Sequence, residues 1–303
     1  MAFTAADVKA LREATGAGMM DCKKALASSD GDMEKAMEFL REKGLAAAAK
    51  KAGRIAAEGM VYGTANADAG VVVEINSETD FVAKNADFQK FAADVAATIL
   101  ESKPADVEAL ADCKCAGTDM TVAEALQEKI LTIGENIKIR RFAICEGGVN
   151  VTYMHMGGKI GVLINMEVSD NLKGNDEVVA LGRAVAMQIA AMSPSWLTSS
   201  DVPEDVLAKE KEILTAQAMN EGKPQAVAEK MVMGRIKKFY AENCLLEQEY
   251  VQGDKISVAQ HVANVAKELG GEIRITKFVR FEKGEGLEKR EDNFAEEVAS
   301  MMK

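Results

Sequence analysis

The chain has 303 residues, 28% of them charged and 48% hydrophobic, with a net charge of −11 and a pI near 5.0. This balance belongs to a globular protein long enough to bury more than one core, and it excludes a disordered chain. The negative field opposes phosphate binding, no apolar run approaches the roughly 20 residues of a membrane span, and the first residues lack the pattern of a signal peptide; no direct nucleic-acid partner, no membrane partner and a cytoplasmic location are therefore expected.

Residues 1–55 read as a small helical module. Thr4 or Asp7 can start a first helix through Arg12, and Thr15-Gly16-Ala17-Gly18 breaks it before a second helix over Met19–Leu26. Asp30-Gly31-Asp32 forms a turn and cap. A third helix follows with Met33, Ala36, Met37 and Leu40 on one stripe and Gly44 as its stop. Ala46–Lys51 then reads as a helical linker. Three short helices carry little stability margin alone, and such a module usually presents a surface to a partner.

Val71-Val72-Val73-Glu74-Ile75 reads as a buried strand, ended by Asn76, Ser77 and Thr79. Phe81 then falls in the turn before the next helix. There it is either a wedge for another protein's surface or a cap folded back on its own core.

This unit occurs twice. Gly70–Asn76 aligns with Gly161–Glu167 at an offset of 91 residues, while Phe88, Phe91, Val95 and Ile99 match Val178, Leu181, Val185 and Ile189 at an offset of 90. A short β-like run precedes each strand, at Met60–Thr64 and Val149–His155. The pattern predicts an α+β fold of two related subdomains, each a small antiparallel sheet backed by helices. In this alignment Thr79-Asp80-Phe81-Val82 faces Asp170-Asn171-Leu172-Lys173, so the copies diverge in the turn and specificity is expected there.

Thr118–Leu131 reads as a helix. Further on, Val206, Ile213 and Ala216 on one side and Val227, Met231 and Val232 on the other flank Asn220-Glu221-Gly222-Lys223-Pro224, predicting an antiparallel helical hairpin. It either projects as an arm or lies flat on the core. Ile273–Phe281 alternates as a strand, and a last amphipathic helix carries Phe294, Val298 and Met301.

Little in the chain resembles catalytic apparatus. The five cysteines, Cys22, Cys113, Cys115, Cys145 and Cys244, form no disulfide framework and suit a reducing compartment. Cys113-Lys114-Cys115 lacks the spacing of a redox or zinc motif, and only His155 and His261 could join it. No phosphate-binding loop, nucleophile elbow or dinucleotide fingerprint occurs, so neither a metal nor another cofactor is expected. The basic pairs Lys50-Lys51, Arg140-Arg141 and Lys237-Lys238 read as solvated faces.

Four motifs carry a family resemblance: Thr15–Leu26, Thr79–Lys84, Ile133-Gly134-Glu135-Asn136-Ile137 with Arg140-Arg141, and Ala228–Val232. They resemble the bacterial translation elongation factor Ts family from the N-terminus to the final helix. The resemblance implies a UBA-like N-terminal module with linker at 1–55 and a core subdomain at 56–145. A second core subdomain would span 146–203 and 241–282, interrupted by a coiled-coil hairpin at 204–240, with a C-terminal module at 283–303.

It also implies a guanine-nucleotide exchange factor for elongation factor Tu, without covalent chemistry, that binds the GDP-bound and nucleotide-free GTPase. Thr79, Asp80, Phe81 and Val82 would enter the GTPase near its Mg²⁺ and phosphate site. Arg12, Met19, Met20, Lys23, Lys51, Ile133, Gly134 and His155 would contact it elsewhere. The hairpin permits a dimer, or a heterotetramer with the GTPase. Two alternatives stand beside this reading: an interaction scaffold that uses the N-terminal module on other clients, and a thiol- or metal-dependent enzyme built on Cys113 and Cys115.

Overall fold

The computed structural model describes residues 3–15, 17–222, 224–253 and 255–288. Gly16, Lys223 and the helix expected at Phe294, Val298 and Met301 lie outside the described residues.

The N-terminal helices are α1 (Ala5–Thr15), α2 (Met19–Ser28) and α3 (Met33–Lys51). Thr4 and Asp7 cap α1 reciprocally, and the Asp32 carboxylate caps α3 through the Lys35 N–H. Leu11, Cys22, Ala25, Leu26, Ala36 and Leu40 form their common core. Gly44 does not stop α3, which runs unbroken through it and through the expected linker. The reason is tertiary. Helix α7 (Val122–Ile133) packs against α3 here, and a Cβ at Gly44 would lie 3.6 Å from the Gln127 carbonyl. Helix α7 itself starts at Val122 behind a Thr121–Glu124 capping box, later than the expected Thr118.

Two antiparallel three-stranded sheets follow. The first is ordered β1 (Glu58–Ala65), β2 (Ala69–Ser77), β3 (Lys138–Glu146); the second is ordered β4 (Val149–His155), β5 (Ile160–Val168), β6 (Ile273–Glu282). They pack face to face through Val61, Val72, Cys145 and Leu163. Each central strand is buried on both sides, because its other face meets a helix. Val71, Val73 and Ile75 pack under α5 (Ala86–Ser102), and Val162, Ile164 and Met166 pack under α8 (Asp176–Met192). The eight stripe residues predicted on these two helices are all buried.

The repeat extends into irregular detail. Both sheets bulge at the same place, at Glu74/Ile75 and at Asn165/Met166. Both long helices end on left-handed caps, Lys103 and Ser193, 90 residues apart. One correction follows in the turns. Thr79 and Ser169 are the matching N-caps, of the one-turn helix α4 (Asp80–Ala83) and of the 3-10 turn Asp170–Leu172. Buried Val82 therefore corresponds to buried Leu172, and exposed Phe81 to exposed Asn171. The missing residue precedes the turn, so the expected pairing of Phe81 with Leu172 is one position off.

Between α5 and α7 lies α6 (Val107–Ala111). After α8 come α9 (Glu204–Asn220) and α10 (Gln225–Asn243), whose principal packing is on each other, with the base of α10 on the turn Leu245–Glu247. The seam keeps the expected Val232 but otherwise differs from the expected one. Ala218, Ala228, Val232 and Ile236 are buried, while Ile213 and Val227 are exposed. Helix α11 (Val258–Glu268) then leads to β6. No described helix is long and apolar enough to cross a membrane.

Candidate functional site

The turn after β2 is held by two reciprocal carboxylate clamps. Glu135 Oε2 accepts the backbone N–H groups of Glu78 and Thr79 at 3.0 Å each, and its Oε1 accepts the Thr79 hydroxyl at 2.7 Å. In return Glu78 Oε1 accepts the Asn136 N–H at 2.6 Å and an Arg54 guanidinium N–H at 3.3 Å. Asn136 Nδ2 donates to the Arg54 carbonyl at 2.7 Å. The Ser77 hydroxyl closes the turn onto the Thr79 carbonyl at 2.9 Å.

On this base α4 divides its side chains by role. Val82 is buried in the first core, whereas Phe81 is 78% exposed. Phe81 is not a cap on its own core. Asp80 pairs with Lys84 at 2.7 Å, and that hydrogen bond holds the Asp80 carboxyl below its ordinary range. The Lys84 ammonium also lies 5.9 Å from the Phe81 ring centroid. Asn85 caps α5 and ends the excursion. The result is an apolar ring standing in solvent on a fixed backbone, where a Phe does not ordinarily sit.

The other predicted contacts fall in three places. Met19 and Met20 are 59% and 73% exposed at the start of α2, near exposed Lys23, and Arg12 is exposed on α1; the two methionines fill no core. Lys51 donates to the Ile130 carbonyl at 3.1 Å, near the end of α7, and burial pushes its pKa down. Ile133 packs against the first core, and Gly134 caps α7 at φ 88°. His155 ends β4 with Nδ1 3.0 Å from the Tyr153 hydroxyl.

The structure therefore brings the Ile133–Asn136 run directly under the Thr79–Val82 turn. The N-terminal helices join through α3 and α7, the helix that leads into Glu135. Sequence reading quoted Glu135 and Asn136 as a motif but assigned them no role, and it missed Glu78 and Arg54 entirely. A Glu beside a strand terminator and a second Glu after a helix-ending Gly were the only available signals.

The Arg140-Arg141 pair is not a solvated face. Glu74 is fully buried between the two arginines, with Arg140 Nη1 at 3.0 Å and Arg141 Nε at 2.6 Å. Adjacent strand residues ordinarily point to opposite faces, but the bulge at Glu74/Ile75 lets both reach one carboxylate. The Gly284 N–H and Asn76 Nδ2 complete the shell at 2.7 and 3.0 Å. Burial pushes the Glu74 carboxyl up, but these hydrogen bonds and Arg141 outweigh it and hold the group below its usual range. Arg141 also stacks on Phe281, so this cluster fastens the first sheet to the end of β6. Cys113 Sγ donates to the Ala109 carbonyl at 3.4 Å, and burial pushes the Cys115 thiol pKa up.

A family model described as Elongation factor TS matches residues 78–285, from the clamped turn to the segment that meets Arg141. A protein named elongation factor Ts from Syntrophotalea carbinolica is 53% identical to this chain over 307 aligned positions, covering all of both chains. Proteins of the same name from Clostridium perfringens and Clostridioides difficile are 54% and 51% identical, each alignment covering 99% of both chains.

Proposed function

The chain belongs to the elongation factor Ts family, and from that premise we propose that it is the guanine-nucleotide exchange factor of elongation factor Tu in translation elongation. It binds the GDP-bound GTPase and speeds GDP release without covalent chemistry. A GTPase grips GDP through phosphate-binding backbone N–H groups and Mg²⁺, so a side chain that displaces either weakens the grip. Phe81 is the wedge. Val82 anchors it from below, Thr79 fixes the turn through Glu135, and Asp80 sets its charge toward the partner.

The observation that carries this reading is the exposure of Phe81 on a doubly clamped turn. Ordering costs are met in the free protein, which is what an efficient wedge needs. Burying one Phe contributes about 2 kcal/mol, and each 1.4 kcal/mol is tenfold in an equilibrium constant. A large rate effect therefore sums several contacts, with Met19, Met20, Lys23, Arg12 and His155 as further docking points. Lys51, Ile133 and Gly134, around the end of α7, are further contacts for the same partner. Coupling is reciprocal: GDP loosens the factor by the ratio that the factor loosens GDP. GTP entry then releases it.

Stopped-flow release of a fluorescent GDP from elongation factor Tu tests the proposal. Wild type accelerates release strongly, and Phe81→Ala loses most of that acceleration. Binding by wild type without any acceleration would instead establish a scaffold.

A further inference from the structure

Four described non-glycine residues adopt positive φ: Asp30, Lys103, Met156 and Ser193. Lys103 and Ser193 are helix C-caps, and Asp is a residue type that tolerates the left-handed region. Met156 differs. It sits at φ +49° in the hairpin between β4 and β5, where Gly would carry no strain, and its side chain is 70% exposed.

The tip that carries it is pinned. Val61 N–H donates to the Gly158 carbonyl at 2.8 Å, and Gly158 N–H donates to the His155 carbonyl at 3.2 Å. A Cβ on Gly158 would lie 2.7 Å from the Val61 carbonyl and 3.1 Å from Met60, a member of the same core cluster as Val82. Next along, the Lys159 carbonyl accepts the Lys283 N–H at 2.9 Å. The Lys283 ammonium pairs with Glu58, whose strand partner Ser77 closes onto Thr79 at the base of α4. The tip that carries His155 and Met156 is thereby tied, through β1 and Lys283, to the base of the turn that presents Asp80 and Phe81.

The matching hairpin of the first repeat is polar. There Asn66 Oδ1 accepts the N–H groups of Asp68 and Ala69 at 2.9 Å each, and no large apolar side chain is presented. The copies diverge at this tip as they do at Phe81.

We infer that Met156 is a second apolar contact for the GTPase that receives Phe81, kept in a strained turn because its side chain is needed outside the fold. The inference rests on the exchange reading. A linear thioether adapts to an irregular apolar surface, and strain retained at an exposed position accords with a binding role.

Met156→Gly and Met156→Ala separate binding from strain. Gly raises the thermal unfolding midpoint by about 1–3 °C by relieving the turn; Ala retains the strain and gives no such rise. Both variants weaken affinity for nucleotide-free elongation factor Tu, by about tenfold, and slow stopped-flow GDP release at sub-saturating factor. Wild-type affinity and release rate in both variants, with Phe81→Ala still defective, would overturn the inference and leave the exchange reading intact. No acceleration by wild type would overturn both.

Discussion

Glu135 and Thr79 are joined twice, by the Thr79 N–H at 3.0 Å and by its hydroxyl at 2.7 Å, across 56 residues of sequence. This pairing converts a strand end into a fixed platform for α4. Glu135→Ala leaves three donors to water, since the Glu78 N–H is bound to the same carboxylate. The cost is about 1–2 kcal/mol in stability by denaturant titration. Exchange activity falls more than this loss explains, because the backbone that presents Phe81 is released. Stability loss with unimpaired exchange would show that the platform is structural only.

Phe81→Ala behaves in the opposite way. The ring is 78% exposed and contributes little to the fold, so its removal changes stability by no more than about 0.5 kcal/mol. Circular dichroism melts of wild type and variant should superimpose within that limit.

Glu74 contributes to the acid limb of stability. Its folded-state pKa lies below the ordinary carboxylate value, so the unfolded chain takes up a proton first as pH falls. The stabilisation is fully present above about pH 4.3 and is lost as pH drops through the depressed folded value. Glu74→Gln lowers stability at neutral pH by about 3 kcal/mol, because two arginines lose their shared counter-charge. It also flattens the decline below about pH 4. Urea titrations from pH 7 to 3 check both effects.

Gly44 offers a gain. It lies in the interior of α3 with ordinary van der Waals room for a methyl group beside Gln127. Gly44→Ala raises stability by about 0.5–1 kcal/mol through helix propensity, read as an increase in unfolding midpoint. A fall would mean that the α3–α7 contact is tighter than the 3.6 Å approach indicates.

Local physics made much of this protein legible. The β-branched run Val71–Ile75, the stripes of α5 and α8, the cap at Asp32 and the 90-residue repeat all follow from periodicity and residue type within a short window. The place of Phe81 beyond the strand was legible too, because Asn76, Ser77 and Thr79 read as the strand's terminator.

Tertiary structure decided what depends on partners far along the chain. Whether Gly44 ends a helix was settled by α7, and whether Arg140 and Arg141 face solvent was settled by Glu74, 66 and 67 residues away. The hairpin seam kept Val232 but took in Ala218, Ala228 and Ile236 in place of Ile213 and Val227, because two thin apolar stripes admit more than one register, and only mutual packing selects one. The exposure of Phe81 and Met156 was decided in the same way: sequence supplies an apolar side chain in a turn, but the clamps from Glu135 and Val61 determine that it points outward and stays there.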